Sequence, residues 1–309
     1  SCADAVTTEV GSGTYRFDRD FGETFLTRTR ALIERFHGTE DDRVRVMISA
    51  HAPDNCSPWM LAELKKLAGQ HGLRRTVHLS QIISEKKQVE SLHGCTSTEY
   101  LQRNDFLGDD LLAVHWTFCT EQDVQILAET GTHFAHCPAS MSAKGPHSLP
   151  IKAILESGVN IALGTDNMTE DMFHAMKLGL TVHRGAYGRS VTPTPNDVFN
   201  YATVNAARAL DHPGIGHIAP GMKADLAMID LMTPAMTPRL SAISNLVHYG
   251  HPGLVTDTMV DGRFLMRDRE LLTIDEKAAV MEAQAATEAM WEKFEAEDRG
   301  VPLPATDPV

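Results

Sequence analysis

Residues 111–137, LLAVHWTFCTEQDVQILAETGTHFAHC, decide the fold. Two short apolar runs, Leu111–Thr117 and Thr132–Cys137, enclose a segment, Glu121–Thr130, whose apolar residues recur at helical spacing. The runs read as strands and the segment as a helix closed by Gly131. A strand, a helix and a second strand form the crossover that leaves two neighbouring strands parallel. Each strand carries a histidine near its end, His115 and His136.

The rhythm extends in both directions. Arg43–Ala50 (RVRVMISA) and Arg75–Ser80 (RTVHLS) upstream, and Asn160–Gly164 (NIALG) downstream, are further strands. Ser57–His71 and Pro150–Ser157 are helices, the first opened by Ser57-Pro58 and the second stopped by Gly158. Val, Ile and Leu run almost without break through the strands, which predicts burial on both faces. Repeated strand–helix units suit a (β/α)8 TIM-type barrel, whose eight units occupy ~250 residues. A doubly wound sheet is the rival, but no Gly-x-Gly-x-x-Gly follows any strand.

Beyond Asp166 the pattern changes. Asp171–His183 and Pro195–Leu210 read as helices, and Ile218–Leu231 and Gly253–Leu272 as strands turning at Pro220-Gly221 and Asp261-Gly262. Residues 275–297 form a long charged helix, and the Pro-rich tail from Gly300 is expected to be disordered. The expected division is a barrel domain over 1–210, a small β-sandwich portion over 211–272, and a helix with its tail over 273–309.

A formal charge of −13 argues against nucleic acid, because phosphate binding needs a basic stripe. No apolar run approaches the ~18 residues that span a bilayer, so no membrane partner is expected. Five cysteines form no Cys-x-x-Cys pair and are read as reduced, buried thiols of a cytoplasmic protein.

The polar residues fall at the strand ends: His51 after the first, His78 in the second, His115 in the third, His136 in the fourth, Asp166 after the fifth. Groups at the C-terminal ends of barrel strands converge on one mouth. Imidazoles and a carboxylate are also the ligand chemistry of Zn²⁺ or Fe²⁺ with a position left for water. The bland alternatives are a hydrogen-bonded core histidine at each position, and a helix N-cap at Asp166. His133 and His136, three apart on a strand, point to opposite faces, so at most one reaches the mouth. His248 and His251 read as structural. No His-Glu-x-x-His, no Pro-Cys-x-x-Cys, no Gly-x-Ser-x-Gly and no phosphate-binding loop occurs.

These motifs, in this order, resemble the amidohydrolase superfamily: His51-Ala52-Pro53-x-x-Cys56-Ser57, His78-Leu79-Ser80, Ala113-Val114-His115, His136-Cys137-Pro138-Ala139-Ser140 and Leu163-Gly164-Thr165-Asp166-Asn167. The most similar branch holds adenosine-type and guanine deaminases, cytosine deaminases and triazine hydrolases. Val204–Leu210, Pro220-Gly221, Lys223–Leu226 and Val260–Arg263 resemble that branch's link into its β-sandwich. The resemblance implies that His78 and Asp166 are metal ligands and that Asp166 also takes a proton from the attacking water. It implies that His115 polarises the substrate or joins the metal shell and that His51 meets substrate, with Ser140 of the His-Cys-Pro-Ala-Ser motif beside it; Trp116, next to His115, is a candidate to lie near a flat substrate ring. A core position for Trp116 is the competing reading. One divalent metal is implied, with Zn²⁺ ahead of Fe²⁺, as are a small-molecule substrate and a homodimer.

Two departures qualify this. The family's opening His-x-His is absent, so the expectation is a barrel without strands one and two, continued upstream of Ser1 by roughly one hundred residues. Gln81 stands where the family's deaminases place a glutamate three residues after the strand-five histidine. An amide accepts and donates hydrogen bonds but does not shuttle a proton. The expectation is therefore a metal-dependent hydrolase acting on an electron-poor carbon of a C–N bond in a cyclic or heteroaromatic small molecule, with Gln81 among its catalytic residues. Hydrolysis of an amide, carbamoyl or chloro substituent is the alternative, and a metal-free, non-catalytic barrel relative the second.

Overall fold

The computed structural model describes residues 1–7, 15–145, 147–188 and 191–296, and the expected tail from Gly300 lies outside them. By contact they divide into a first unit, residues 1–224 with 230–254, and a second, residues 225–229 with those from Val255 on.

The first unit opens with a hairpin, β1 (Ala5–Thr7) and β2 (Tyr15–Phe17), then α1 (Arg19–Phe36) and the single turn α2 (Thr39–Asp42). The (β/α) units follow: β3 (Ile48–Ala50), α3 (Pro58–His71), β4 (Arg75–Leu79), α4 (Ile83–His93), α5 (Ser97–Arg103), β5 (Leu111–His115), α6 (Glu121–Thr130), β6 (His133–His136), α7 (Pro138–Ala143), α8 (Ile151–Ser157) and β7 (Ile161–Leu163). All five strands are parallel and lie in the sheet in chain order, as successive staves of a barrel wall do. A further parallel bridge pairs Cys2 with Ala50, the Cys2 N–H donating to Ser49 O at 2.7 Å and the His51 N–H to Cys2 O at 2.7 Å. Sequence reading found no signal for it, because three residues show no period.

Local chemistry accounts for the units. Helix α3 starts where the Ser57 hydroxyl accepts the Met60 N–H and Pro58 sets the first turn, and it stops at Gly72, whose φ of +64° a side chain would resist. Thr96 and Thr120 open α5 and α6 with reciprocal capping boxes. Leu61, Leu64 and Leu67 of α3 and Val124 and Leu127 of α6 bury in one core with Val77, Leu79, Leu111 and Ala113. Fully burying each such side chain stabilises the fold by roughly 1.5–3 kcal/mol.

Strands β6 and β7 are buried at every position, as expected of burial on both faces, whereas β4 and β5 are fully buried on one face only. In β4 and β5 buried residues alternate with half-buried ones, and His78 and Val114 fall in the half-buried set. That face borders a cavity of about 360 Å³ whose lining includes His78, Val114, His115, Ala135, Ala162 and Asp166.

The first unit continues through α9 (Met172–Tyr187), α10 (Pro195–Ala202) and α11 (Val204–Ala209). The second begins with β8 (Leu226–Ile229). Helix α12 (Ala242–Tyr249) returns to the first unit, packing on α9 and α10 and burying Val247 in the same core. Residues 211–224 and 230–254 group by contact with the first unit. The second unit is a four-stranded antiparallel sheet in the order β11-β10-β9-β8, completed by β9 (Val255–Val260), β10 (Arg263–Arg267) and β11 (Glu270–Leu271), and then α13 (Glu276–Ala296). No helix among the described residues is long and apolar enough to cross a membrane.

Candidate functional site

Parallel strands in register carry His51, His78 and His115 to the same end of the sheet. Leu79 pairs with His115, and the His78 N–H donates to His51 O at 3.1 Å. The ring centroids of His51 and His78 lie 5.2 Å apart, and those of His78 and His115 lie 5.5 Å apart and nearly parallel, at 16°. Asp166 follows β7 and brings Oδ2 to 3.9 Å from His115 Nδ1.

Left-handed backbone makes this convergence possible. Ser80 (φ +49°), His115 (+77°), Trp116 (+49°) and Asp166 (+54°) all adopt it without being glycine. Each such residue costs on the order of 1–3 kcal/mol, and such strain collects at functional sites.

Hydrogen bonding settles which atoms remain free. Nδ1 of His78 lies 2.6 Å from the His51 carbonyl, which only accepts, so Nδ1 carries the proton and Nε2 keeps its lone pair. That is how proteins orient a ligating imidazole. Asp166 Oδ1 accepts the Asn167 N–H at 2.7 Å, whereas Oδ2 is buried without a hydrogen bond. Burial works to raise the Asp166 carboxyl. The Ser140 hydroxyl, the Asn167 N–H and the His115 and Lys144 side chains outweigh it and hold the group below its ordinary value. Burial pushes the His115 imidazole down to about 4 against the pull of Asp166, so it is neutral at pH 7.

A free imidazole nitrogen and an orphaned buried carboxylate oxygen are the donor types a divalent cation takes. The residues present therefore fit such an ion at His78 and Asp166, with His115 beside them. No three His, Cys, Asp or Glu side chains among the described residues already stand as a ligand cluster.

A profile described as Amidohydrolase family matches residues 5–265. The chain belongs to the amidohydrolase family. It is 31% identical over 278 residues to a 5'-deoxyadenosine deaminase of Methanosarcina mazei, covering 89% of this chain and 64% of that protein. It is 34% identical over 269 residues to a 5-methylthioadenosine/S-adenosylhomocysteine deaminase of Dictyoglomus thermophilum, covering 86% and 63%. This amidohydrolase thus spans a little under two thirds of the length of these relatives. Among solved structures, an adenosine deaminase of Xanthomonas campestris with bound zinc superposes with a TM-score of 0.82 at 24% identity, covering 88% of this chain and 62% of that one. Atrazine chlorohydrolase of Arthrobacter aurescens, complexed with zinc, gives 0.79 at 18%, covering 92% and 64%. These likenesses establish the fold as that of the amidohydrolase barrels.

Within this amidohydrolase the other named residues divide. Ser140 is fully buried on α7, its hydroxyl facing Asp166. His51 is exposed, with Nδ1 2.7 Å from Asn55 Nδ2. Trp116 is fully buried, donates Nε1–H to Thr98 Oγ1 at 3.1 Å and packs edge-on against Phe134, so it supports the site from the core and does not line the mouth. His136 turns away from the mouth onto His183 of α9, with ring centroids 4.8 Å apart. His133, at the start of β6, lies 2.9 Å from Asn160 Nδ2. Neither reaches the site.

Two further residues shape the site: Glu85, which from the sequence would need a rearranged loop to replace the glutamate missing at 81, and Lys144, which the sequence did not single out. Glu85 is buried and accepts the Ser80 N–H at 2.7 Å, the Gln81 N–H at 2.7 Å and the Ser97 hydroxyl at 3.0 Å. It clamps the turn after His78 and is not available as a stand-in for the missing glutamate at 81. Burial, opposed by those N–H donors, pushes its carboxyl up to about 7. Lys144 donates to Ser140 Oγ at 2.9 Å and reaches 3.9 Å from Asp166 Oδ2. Its spacing of four from Ser140 was the available signal, but i,i+4 pairs on surface helices are commonplace.

Proposed function

We propose that this amidohydrolase is a metal-dependent hydrolase of C–N bonds in small cyclic molecules. The adenosine-derivative deaminases are its guide to substrate class. The observation that supports this most is the pairing of His78, its Nδ1 tied to a carbonyl, with the orphaned Oδ2 of Asp166. His78 and Asp166 would hold a zinc-like ion, which would supply the acidification of the attacking water. Asp166, kept ionised, accepts the proton of the attacking water. His115, neutral and held against Asp166, hydrogen-bonds the heteroatom at the reacting carbon. His51, whose ring stands 5.2 Å from that of His78, orients the substrate, and Ser140 steadies Asp166 from the core.

Gln81 supports a second reading within the class. An amide presents a donor and an acceptor to a ring but supplies no proton to a leaving amine. Hydrolysis of an amide, carbamoyl or chloro substituent needs that shuttle less. A homodimer in a reducing cytoplasm completes the proposal, in keeping with five cysteines that are all free and buried.

The test is metal analysis together with ammonia release from 5'-deoxyadenosine. About one metal per chain, lost in His78→Ala and Asp166→Asn, is expected. A metal content indifferent to both substitutions overturns the reading. Chloride or carboxylate release without ammonia selects the second reading, and turnover by a metal-free chain rejects both.

A further inference from the structure

The oxygen that the proposed metal needs already has a cation beside it. Asp166 Oδ2 is buried and without a hydrogen bond, and Lys144 Nζ stands 3.9 Å away. Among the described residues no other ammonium or guanidinium is paired with this carboxylate. Lys144 ends α7, where a lysine ordinarily extends into solvent and meets the helix dipole. Here the ammonium folds back instead and donates to the buried Ser140 hydroxyl at 2.9 Å, which fixes it over the carboxylate.

We propose that Lys144 is a built-in competitor for the metal, masking Asp166 in the metal-free chain and setting the affinity of the site. The idea rests on the reading of His78 and Asp166 as ligands. A divalent ion on Oδ2 would sit a few ångströms from a fixed positive charge, and like charges at that range in a half-buried site repel appreciably. Loading the site therefore requires Lys144 to leave Oδ2 and give up its contact with Ser140. The same charge keeps the empty carboxylate from being an uncompensated buried anion. Metal occupancy and the position of Lys144 are thus reciprocal, each disfavouring the other.

Zn²⁺ binding to the full 309-residue chain, measured by competition with a chromophoric chelator, tests this. Lys144→Met is expected to bind about tenfold more tightly than wild type, with Lys144→Arg within about twofold of it. The gap should narrow as salt is raised from low to high ionic strength, a response that a change in packing does not produce. Lys152→Met, which removes an exposed lysine paired with Glu156, should leave affinity unchanged. Binding abolished by His78→Ala and Asp166→Asn but equal in wild type and Lys144→Met overturns this proposal alone. Binding indifferent to His78→Ala and Asp166→Asn, or absent from every form, overturns the metal reading and this proposal with it.

Discussion

His78 and His115 stack with ring centroids 5.5 Å apart, and His136 and His183 stack at 4.8 Å. The residue type and the stacking are alike, but the surroundings differ. The first pair has a backbone carbonyl on one ring and a carboxylate near the other, with a cavity alongside. The second is sealed: both rings are buried and none of their four nitrogens has a hydrogen-bond partner among the described residues. Burial drives both of its imidazoles down, His183 to about 4. An imidazole becomes a tool when something fixes its tautomer and leaves one nitrogen open. Without that it is an apolar filler that forfeits hydrogen bonds.

Breaking the comparison is most visible in activity. Asp166→Asn or His78→Ala should lower kcat/KM by a factor of about a thousand, or roughly 4 kcal/mol, whereas His183→Leu should leave it within a few-fold. Equal losses from both pairs would erase the distinction.

Acid provides the next largest effect. An imidazole whose folded pKa lies below its unfolded value binds more protons when unfolded, so its contribution is intact above the unfolded value of 6.5. It is lost as pH falls toward 4, by roughly 3 kcal/mol for a shift of His183's size. Glu85 acts with the opposite sign, since a carboxyl raised to about 7 stabilises below its unfolded 4.5 and loses that contribution as pH rises through 7. The His183 share is therefore read as the difference in unfolding free energy between wild type and His183→Leu across pH 4–7. A constant difference would refute it.

Glu85→Ala sharpens the contrast from the other side, because it removes a buried group that is fully paired. It strands the Ser80 and Gln81 N–H groups and the Ser97 hydroxyl, at about 2 kcal/mol by denaturant titration. Faster amide exchange at Ser80 and Gln81, with β5 unaffected, would locate the loss. The smallest expected effect is a gain: His183→Leu at pH 7 should be neutral or stabilising by about 1 kcal/mol, because it removes two unsatisfied nitrogens from the core. Destabilisation there would reveal a partner for that ring.

The strand–helix rhythm was legible in the sequence because burial imposes a period that any window displays. So was the mouth, since Val- and Leu-rich strands ending in His or Asp have no packing reason to do so. His136 shows the limit of that logic. It too ends a strand, but a one-residue step swaps faces, and only packing against α9 reveals which way it points. His115 shows the converse: alternation after half-buried Val114 sends it outward, and a φ of +77° turns it toward Asp166.

The strand and helix segments and the residue types at the strand ends were determined by the amino-acid sequence alone, because hydrophobic period and turn chemistry are local properties. Three things were decided only in three dimensions: the free nitrogen of His78, the orphaned oxygen of Asp166 and the lysine beside it. Each depends on where groups far apart in the chain come to lie, His51 against His78 and Lys144 against Asp166, and no local pattern encodes that.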